Sequence, residues 1–240
     1  MSTQTYLRWA TQSDIPAITE IFALNGLNFE LHAIFAPDRH AKYDNFYLFL
    51  LNRIRMFWNT RGFRFLVVES VELPDVAQPT SKQVIGFAGW IMDDIQSDLI
   101  EHRGDISCLR LVERTLLTAE RVYHRLCLNT VFDIAGVKEF LHATHDGEDN
   151  AIPQIHLQFL FVHPQWQKSP HRVGHRLLQW GMDLSDRVQL PIILDSSLTG
   201  YEFYLKHGFE VLRYIHVDRV PELVYDMPIL IRNPKFQRDA

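Results

Sequence analysis

The stretch Phe161 to Trp180, FVHPQWQKSPHRVGHRLLQW, gathers Lys168, His171, Arg172, His175 and Arg176 where an apolar strand gives way to a helix. Ser169-Pro170 reads as a helix start, because serine accepts from free amides and proline fits the first helical position. Val173, Leu177, Trp180, Leu184 and Val188 then recur on one helical face. The first turn of a helix carries partial positive charge, so each exposed cation there costs on the order of 0.3–1 kcal/mol. An anion held between free amides and those cations reverses the sign of that cost. The chemistry implied is the binding of a phosphate-bearing ligand. The bland alternative is a solvated polar face on an amphipathic helix. Gly174 weighs against it, since glycine inside a helix costs about 1 kcal/mol relative to alanine and so suggests a close backbone approach.

The strand before this helix, Ile155 to Val162, supplies a second set of candidates. Side chains alternate along a strand. That parity puts Leu157, Phe159 and Phe161 on one apolar face and His156 and Gln158 on the other. An imidazole is suited to act as a general base near neutral pH.

The elements that must position these residues follow from periodicity and breakers. Tyr6 to Ala10 reads as a first strand. A helix capped by Ser13 or Asp14 carries Ile15, Ile18, Ile21 and Phe22, and Asn25-Gly26 stops it. Residues 27–43 read as a loop rich in aromatics and histidine, and 44–60 as a helix with Phe46, Phe49, Leu50, Ile54, Phe57 and Trp58 buried. Strands are expected at 63–71 and 83–92. Residues 93–150 read as a helical insertion, with helices near 108–126 and 132–145 and an acidic loop at 146–150. After the strand 155–162 come a helix to Val188, a strand at 191–195, a short helix at 200–207 and strands at 209–217 and 223–231. This alternation indicates an α/β layer fold with some parallel pairing. No Pro/Gly/Ser-rich linker divides the chain, so one domain over 1–240 is expected.

Composition narrows the function classes. With 240 residues, 47% of them hydrophobic and 22% charged, the chain can bury a substantial core as an ordinary globular protein. A net charge of −5 argues against a general nucleic-acid binder, while leaving room for a local basic pocket. Cys108 and Cys127 lie in no metal-spaced or nucleophile motif, the start of the chain lacks an apolar leader, and no apolar run reaches membrane-spanning length. A cytoplasmic protein without metal, membrane or nucleic-acid partner is the expectation. His142 and His145 beside Asp146 and Glu148 are too unspecific in spacing for a metal site.

The order IHLQFLFVHP, QWQKSPHRVG, HRLLQWGMDLSDRV resembles the central motif of the GNAT superfamily, the acetyl-CoA-dependent N-acyltransferases. Downstream, LPIILDSS and GYEFYLKHGFEVL resemble the family's next strand and its helix-and-strand ending. The resemblance is specific over about residues 155–213 and weaker back to Tyr6. One position departs. Counting back from Gly174, Arg172 stands where the family loop has its first glycine and Ser169 where it has Arg or Gln; Gln167 fills that role only across a two-residue insertion.

The resemblance implies a mixed central sheet with helices on both faces. It also implies transfer of an acyl group, most naturally acetyl, from CoA to a primary amine on a small molecule or peptide, by direct attack in a ternary complex. It assigns the CoA contacts to Leu160, Phe161, Val162, Gln167, Lys168, His171, Arg172, Val173, Gly174, His175, Ser196, Ser197 and Tyr204. Tyr204, followed by Gly208-Phe209, matches the tyrosine that protonates the leaving thiolate, and His156 the general base. Phe29, His32, Phe35 and Tyr43, with Gln158 and Asp93 or Asp94, fall where the family builds its acceptor pocket. The alternative is a non-catalytic relative that binds acyl-CoA or a protein, and a longer acyl donor stays open as a third reading.

Overall fold

The computed structural model describes residues 3–72, 82–92, 108–127, 131–133, 137, 153–217 and 225–235. Seven strands form one sheet in the order β1-β2-β3-β4-β5-β7-β6. They are β1 (Thr3–Trp9), β2 (Phe63–Glu72), β3 (Lys82–Ile91), β4 (Ile155–Val162), β5 (Ile192–Asp195), β6 (Glu210–Val217) and β7 (Tyr225–Arg232). Only β4 and β5 run parallel, and every other neighbouring pair is antiparallel. The helices are α1 (Ile15–Gly26), α2 (Glu30–Phe35), α3 (Tyr43–Trp58), α4 (Cys108–Cys127), α5 (Val173–Val188) and α6 (Leu198–Leu205).

Alternation along the strands feeds two cores, one on each face of the sheet. Phe65, Val67 and Phe87 point to the face covered by α1 and α3, where Ile18, Phe22, Phe46, Leu50 and Ile54 meet them. Leu66, Val68, Ile85 and Trp90 point to the other face, under Leu177, Leu178 and Met182 of α5. Helices therefore lie on both faces, as the resemblance implied. Among the described residues, no helix is long and apolar enough to cross a membrane.

Several expectations need correction. The stretch expected to be a loop, 27–43, contains the short helix α2 and a 3-10 turn at Pro37–Arg39. In β4, Phe159 pairs with Gly89 but Leu157 with Trp90, so Gln158 is an extra, bulged residue. The bulge breaks parity: Leu157 faces α5, whereas Phe159 and Phe161 pack toward α1 and α3. Leu157, Phe159 and Phe161 do not share a face. Helix α4 lies within the insertion expected at 93–150; the second helix, the acidic loop, His142, His145, Asp93 and Asp94 lie outside the described residues.

Gly181 on α5 shows how tightly that face is packed. A Cβ there would sit 2.0 Å from Cη2 and 2.4 Å from Cζ2 of Trp90. Trp90 is fully buried, and its ring lies 5.8 Å from that of Trp180, so the indole has nowhere to retreat. Gly181→Ala should cost about 2 kcal/mol, roughly 3 from overpacking less about 1 from alanine's better helix propensity. An unchanged urea midpoint would refute this account of the packing.

Candidate functional site

The site begins with a short seam. β4 and β5 pair only through Ile155–Ile192, His156–Ile193 and Leu157–Leu194, although β4 continues to Val162. Beyond Leu157, one edge of β4 has no strand beside it among the described residues. His163 donates to Ile85 O on β3 at 2.9 Å. Period-two alternation therefore turns the amides of Leu160 and Val162 away from β3, into the gap on the β5 side. The Val162 carbonyl on that edge is already engaged, accepting from Asn25 Nδ2 at 3.1 Å and Gln167 Nε2 at 3.2 Å.

At the end of β4 the chain makes a 3-10 turn, Pro164–Trp166, and enters α5 at Val173 rather than at Pro170. Arg172 is the N-cap and adopts the left-handed conformation, φ 50° and ψ 44°. This conformation suits glycine and costs another residue about 1 kcal/mol or slightly more. The family's glycine position thus keeps a glycine-like backbone while carrying a guanidinium. The first intrahelical donor is Arg176, to Arg172 O at 3.0 Å, so the amides of Val173, Gly174 and His175 are not consumed by the helix. The Arg172 side chain does not cap them. Ser169, expected as the cap, instead offers its backbone carbonyl to Arg172 N–H at 3.2 Å.

Gly174 faces Leu160 and Val162 of β4 and Phe203 of α6, where an added Cβ would make only ordinary contacts of 3.6–3.8 Å. Packing within the protein does not require glycine there. The position lies where the helix entrance, the gap-side edge of β4 and α6 converge.

Not every cation of this stretch faces the entrance. Arg176 is tied to Thr5 on β1, through the hydroxyl and the backbone carbonyl. His207 Nδ1 lies 2.7 Å from Phe203 O, and a carbonyl only accepts, so Nδ1 carries the hydrogen. His207 Nε2 then accepts from His175 Nδ1 across 2.8 Å. Burial, then the charges of Arg172 and His207, hold the His175 imidazole below its ordinary range. His175 is therefore a neutral ring bonded to α6, and what it offers to an anion is its backbone amide. Gln167 reaches Asn25 Oδ1 at 2.9 Å as well as Val162, so its side chain binds α1 to β4. Lys168 and Arg172 are exposed, and the His171 ring lies 5.4 Å from Trp166.

Ser197 caps α6, accepting from Gly200 N–H at 3.0 Å, while the buried Ser196 hydroxyl donates to Ser197 O at 2.9 Å. These two serines shape the turn out of β5. Tyr204, on α6, is buried against Phe203 and Phe209. Its hydroxyl makes no hydrogen bond among the described residues, and burial raises its pKa strongly, so it stays protonated.

On the opposite face, His156 lies in the paired part of β4, opposite Ile91 and Ile193, with its side chain directed away from the α5 core that holds Ile155 and Leu157. Phe29 is half-buried at the start of α2, and its ring lies 5.1 Å from that of His32. His32 and Phe35 are core residues, 8% and 4% exposed. His32 lies among the rings of Phe22, Phe46 and Phe132.

No protein-family profile matches the chain. A crystal structure from Corynebacterium glutamicum, described as histone acetyltransferase HPA2 and related acetyltransferase, superposes over 98% of this chain and 99% of its own, with a TM-score of 0.58 at 15% identity. The fold is that of the GNAT acetyltransferases. A GCN5-related N-acetyltransferase from Rhodopseudomonas palustris is also similar, at TM-score 0.46 and 15% identity over 97% of this chain and 98% of that one. In sequence, the chain is 31% identical over 70 residues to "Probable acyltransferase SID5" of Ajellomyces capsulatus. That match covers 28% of this chain and 52% of the relative, so the chain spans about half the length of the curated protein it matches.

On this GNAT fold the structure brings Leu160, Val162 and Gly174 together beside Phe203 of α6, the helix that also carries Tyr204, and it adds residues that the sequence reading missed. Asn25, read only as a helix stop, clamps the end of β4. His207 fixes His175. Arg53 of α3 lies beside β4, its guanidinium carbon 6.0 Å from the Phe159 ring. A signal for it existed: Phe46, Leu50, Arg53 and Phe57 follow helical spacing, so a charge occupies the buried stripe.

Proposed function

We propose that the protein is an N-acyltransferase that moves an acetyl group from acetyl-CoA to the primary amine of a small molecule or peptide. The reading rests on the unpaired end of β4. Its gap-side amides lead directly to the uncapped amides of a helix, which suits an extended, amide-containing chain that ends in a diphosphate. In this reading the amides of Leu160 and Val162 hold the pantetheine arm. The amides of Val173, Gly174 and His175, with Lys168 and Arg172, hold the diphosphate. The fold shared with an acetyltransferase supports it.

Leu160 and Val162 serve the donor from within the sheet, while His156 faces the α1 and α3 side, from which an acceptor would enter. His156 takes a proton from the attacking amine, directly or through water. As the C–N bond forms and the C–S bond breaks, Tyr204 donates its proton to sulfur. The proton held by His156 returns to Tyr204 through solvent, which closes the cycle without a covalent enzyme intermediate.

Two measurements test this. CoA at a hundred times its dissociation constant should stabilise the fold by about 2.7 kcal/mol, raising Tm by roughly 5–10 °C for a chain of this size. Acetyl-CoA with a panel of amines should release free thiol. Stabilisation without thiol release from any amine would mark a binding module instead, and absence of both would remove the proposal.

A further inference from the structure

Arg53 is a cation without a hydrogen-bonded or ionic partner among the described residues. It lies on the buried stripe of α3, with its guanidinium carbon 5.7 Å from the Phe57 ring and 6.0 Å from Phe159 on β4. Nε is sealed from solvent and meets no acceptor. None of its other N–H groups forms a hydrogen bond or ion pair among the described residues either. Burial lowers its pKa, and the charge of Asp195, at the exposed end of β5, acts in the other direction. Among the described residues, neither charge has an ion-pair partner.

Sealing Nε among aromatic rings is costly, because burial removes hydration that no acceptor among the described residues replaces, while the terminal nitrogens of this half-buried side chain stay open to a ligand. A carboxylate matches its forked N–H groups two-to-two. The aromatic walls can take an aliphatic chain without competing for those donors. We infer that Arg53 binds a carboxylate on the acceptor, making the substrate an amino acid or similar small acid whose amine reaches β4. The inference rests on the acyl-transfer reading and narrows its acceptor class. A single guanidinium suits a carboxylate, which it meets two-to-two, better than a phosphate.

The test uses ω-amino acids of three to six carbons and their methyl esters, which differ only in the anionic group. Thiol release gives kcat/KM, and calorimetry on the CoA-loaded protein gives Kd independently of turnover. At least one acid should be preferred to its ester by tenfold or more in both measures. Arg53→Gln should abolish that preference, bringing acid and ester to the same values, and a wild-type circular dichroism spectrum shows that the variant is folded. Arg53→Lys should retain part of it. Thiol release without an acid preference would overturn the role of Arg53 and leave acyl transfer standing. An Arg53-dependent binding preference without thiol release would sustain the anion site and overturn the enzyme. Equal binding of acid and ester, or a preference that survives Arg53→Gln, would overturn the inference.

Discussion

Replacing Tyr204 with phenylalanine should lower kcat for acyl transfer by about 100-fold, with KM for the donor nearly unchanged, since a positioned general acid typically contributes 10²–10⁴. The expectation follows from three properties of this side chain. It is buried on α6, one residue after Phe203, which faces Gly174 at the entrance of α5. Its hydroxyl is not committed to any hydrogen bond among the described residues. Burial keeps it protonated at neutral pH, as an acid must be before it can give up a proton. Phenylalanine preserves the contacts with Phe203 and Phe209, so stability should change little. The cleanest readout is a change of leaving group. Transfer from p-nitrophenyl acetate, whose phenolate needs no proton to depart, should be spared in the variant. Equal loss with both donors would show that Tyr204 only shapes the site, and retention of wild-type kcat with acetyl-CoA would exclude the acid role.

The second large effect concerns stability in acid. His32 is held down to about 3, mainly by burial and in lesser part by the charges of Arg53 and Arg39, with its bond to Gly26 opposing them. Nδ1 lies 3.1 Å from Gly26 O and must be the donor, which leaves Nε2 as a bare acceptor among aromatic rings. A depressed imidazole stabilises the fold fully above its unfolded pKa of about 6.5. The unfolded chain takes up the proton below that pH and the folded chain does not, so stability falls as pH drops toward 3. At pH 4.5 this one group should already have removed about 3 kcal/mol, two pH units at 1.36 kcal/mol each. His32→Asn can still donate to Gly26 and does not titrate in this window. Urea unfolding at pH 7.5, 6 and 4.5 should therefore show a much shallower slope in the variant, with the remainder from groups such as His175. An identical slope in both proteins would mean that His32 is accessible to protons in the fold.

The sequence was most legible where a regular pattern repeats. β4 was read with the boundaries it has, because Ile155 to Val162 is apolar and ends at proline. Parity failed within the same strand, because a bulge adds one residue and leaves no mark in composition; only the pairing of Gly89 and Trp90 across the sheet reveals it. The entrance of α5 was read three residues early. Ser169-Pro170 has the local chemistry of a helix start, but Lys168 and Arg172 take left-handed conformations that sequence preference does not anticipate for long cationic residues. The cluster of cations suggested a single purpose, yet His175 and Arg176 are held by neighbours from distant parts of the chain. Arg53 was overlooked for the opposite reason: it sits in an apolar stripe, where attention goes to the residues that fit the pattern.

The three-pair seam has a mechanical meaning. α5 packs across β2, β3, β4 and β5, so it straps together two portions of the sheet that share very few rungs of their own. The sheet thus carries an unfinished ladder, and the missing rungs are the ones an amide-bearing guest could supply. Occupancy would then do more than fill a slot: it would splice the two portions into a continuous sheet, so that the guest becomes part of the architecture for as long as it stays.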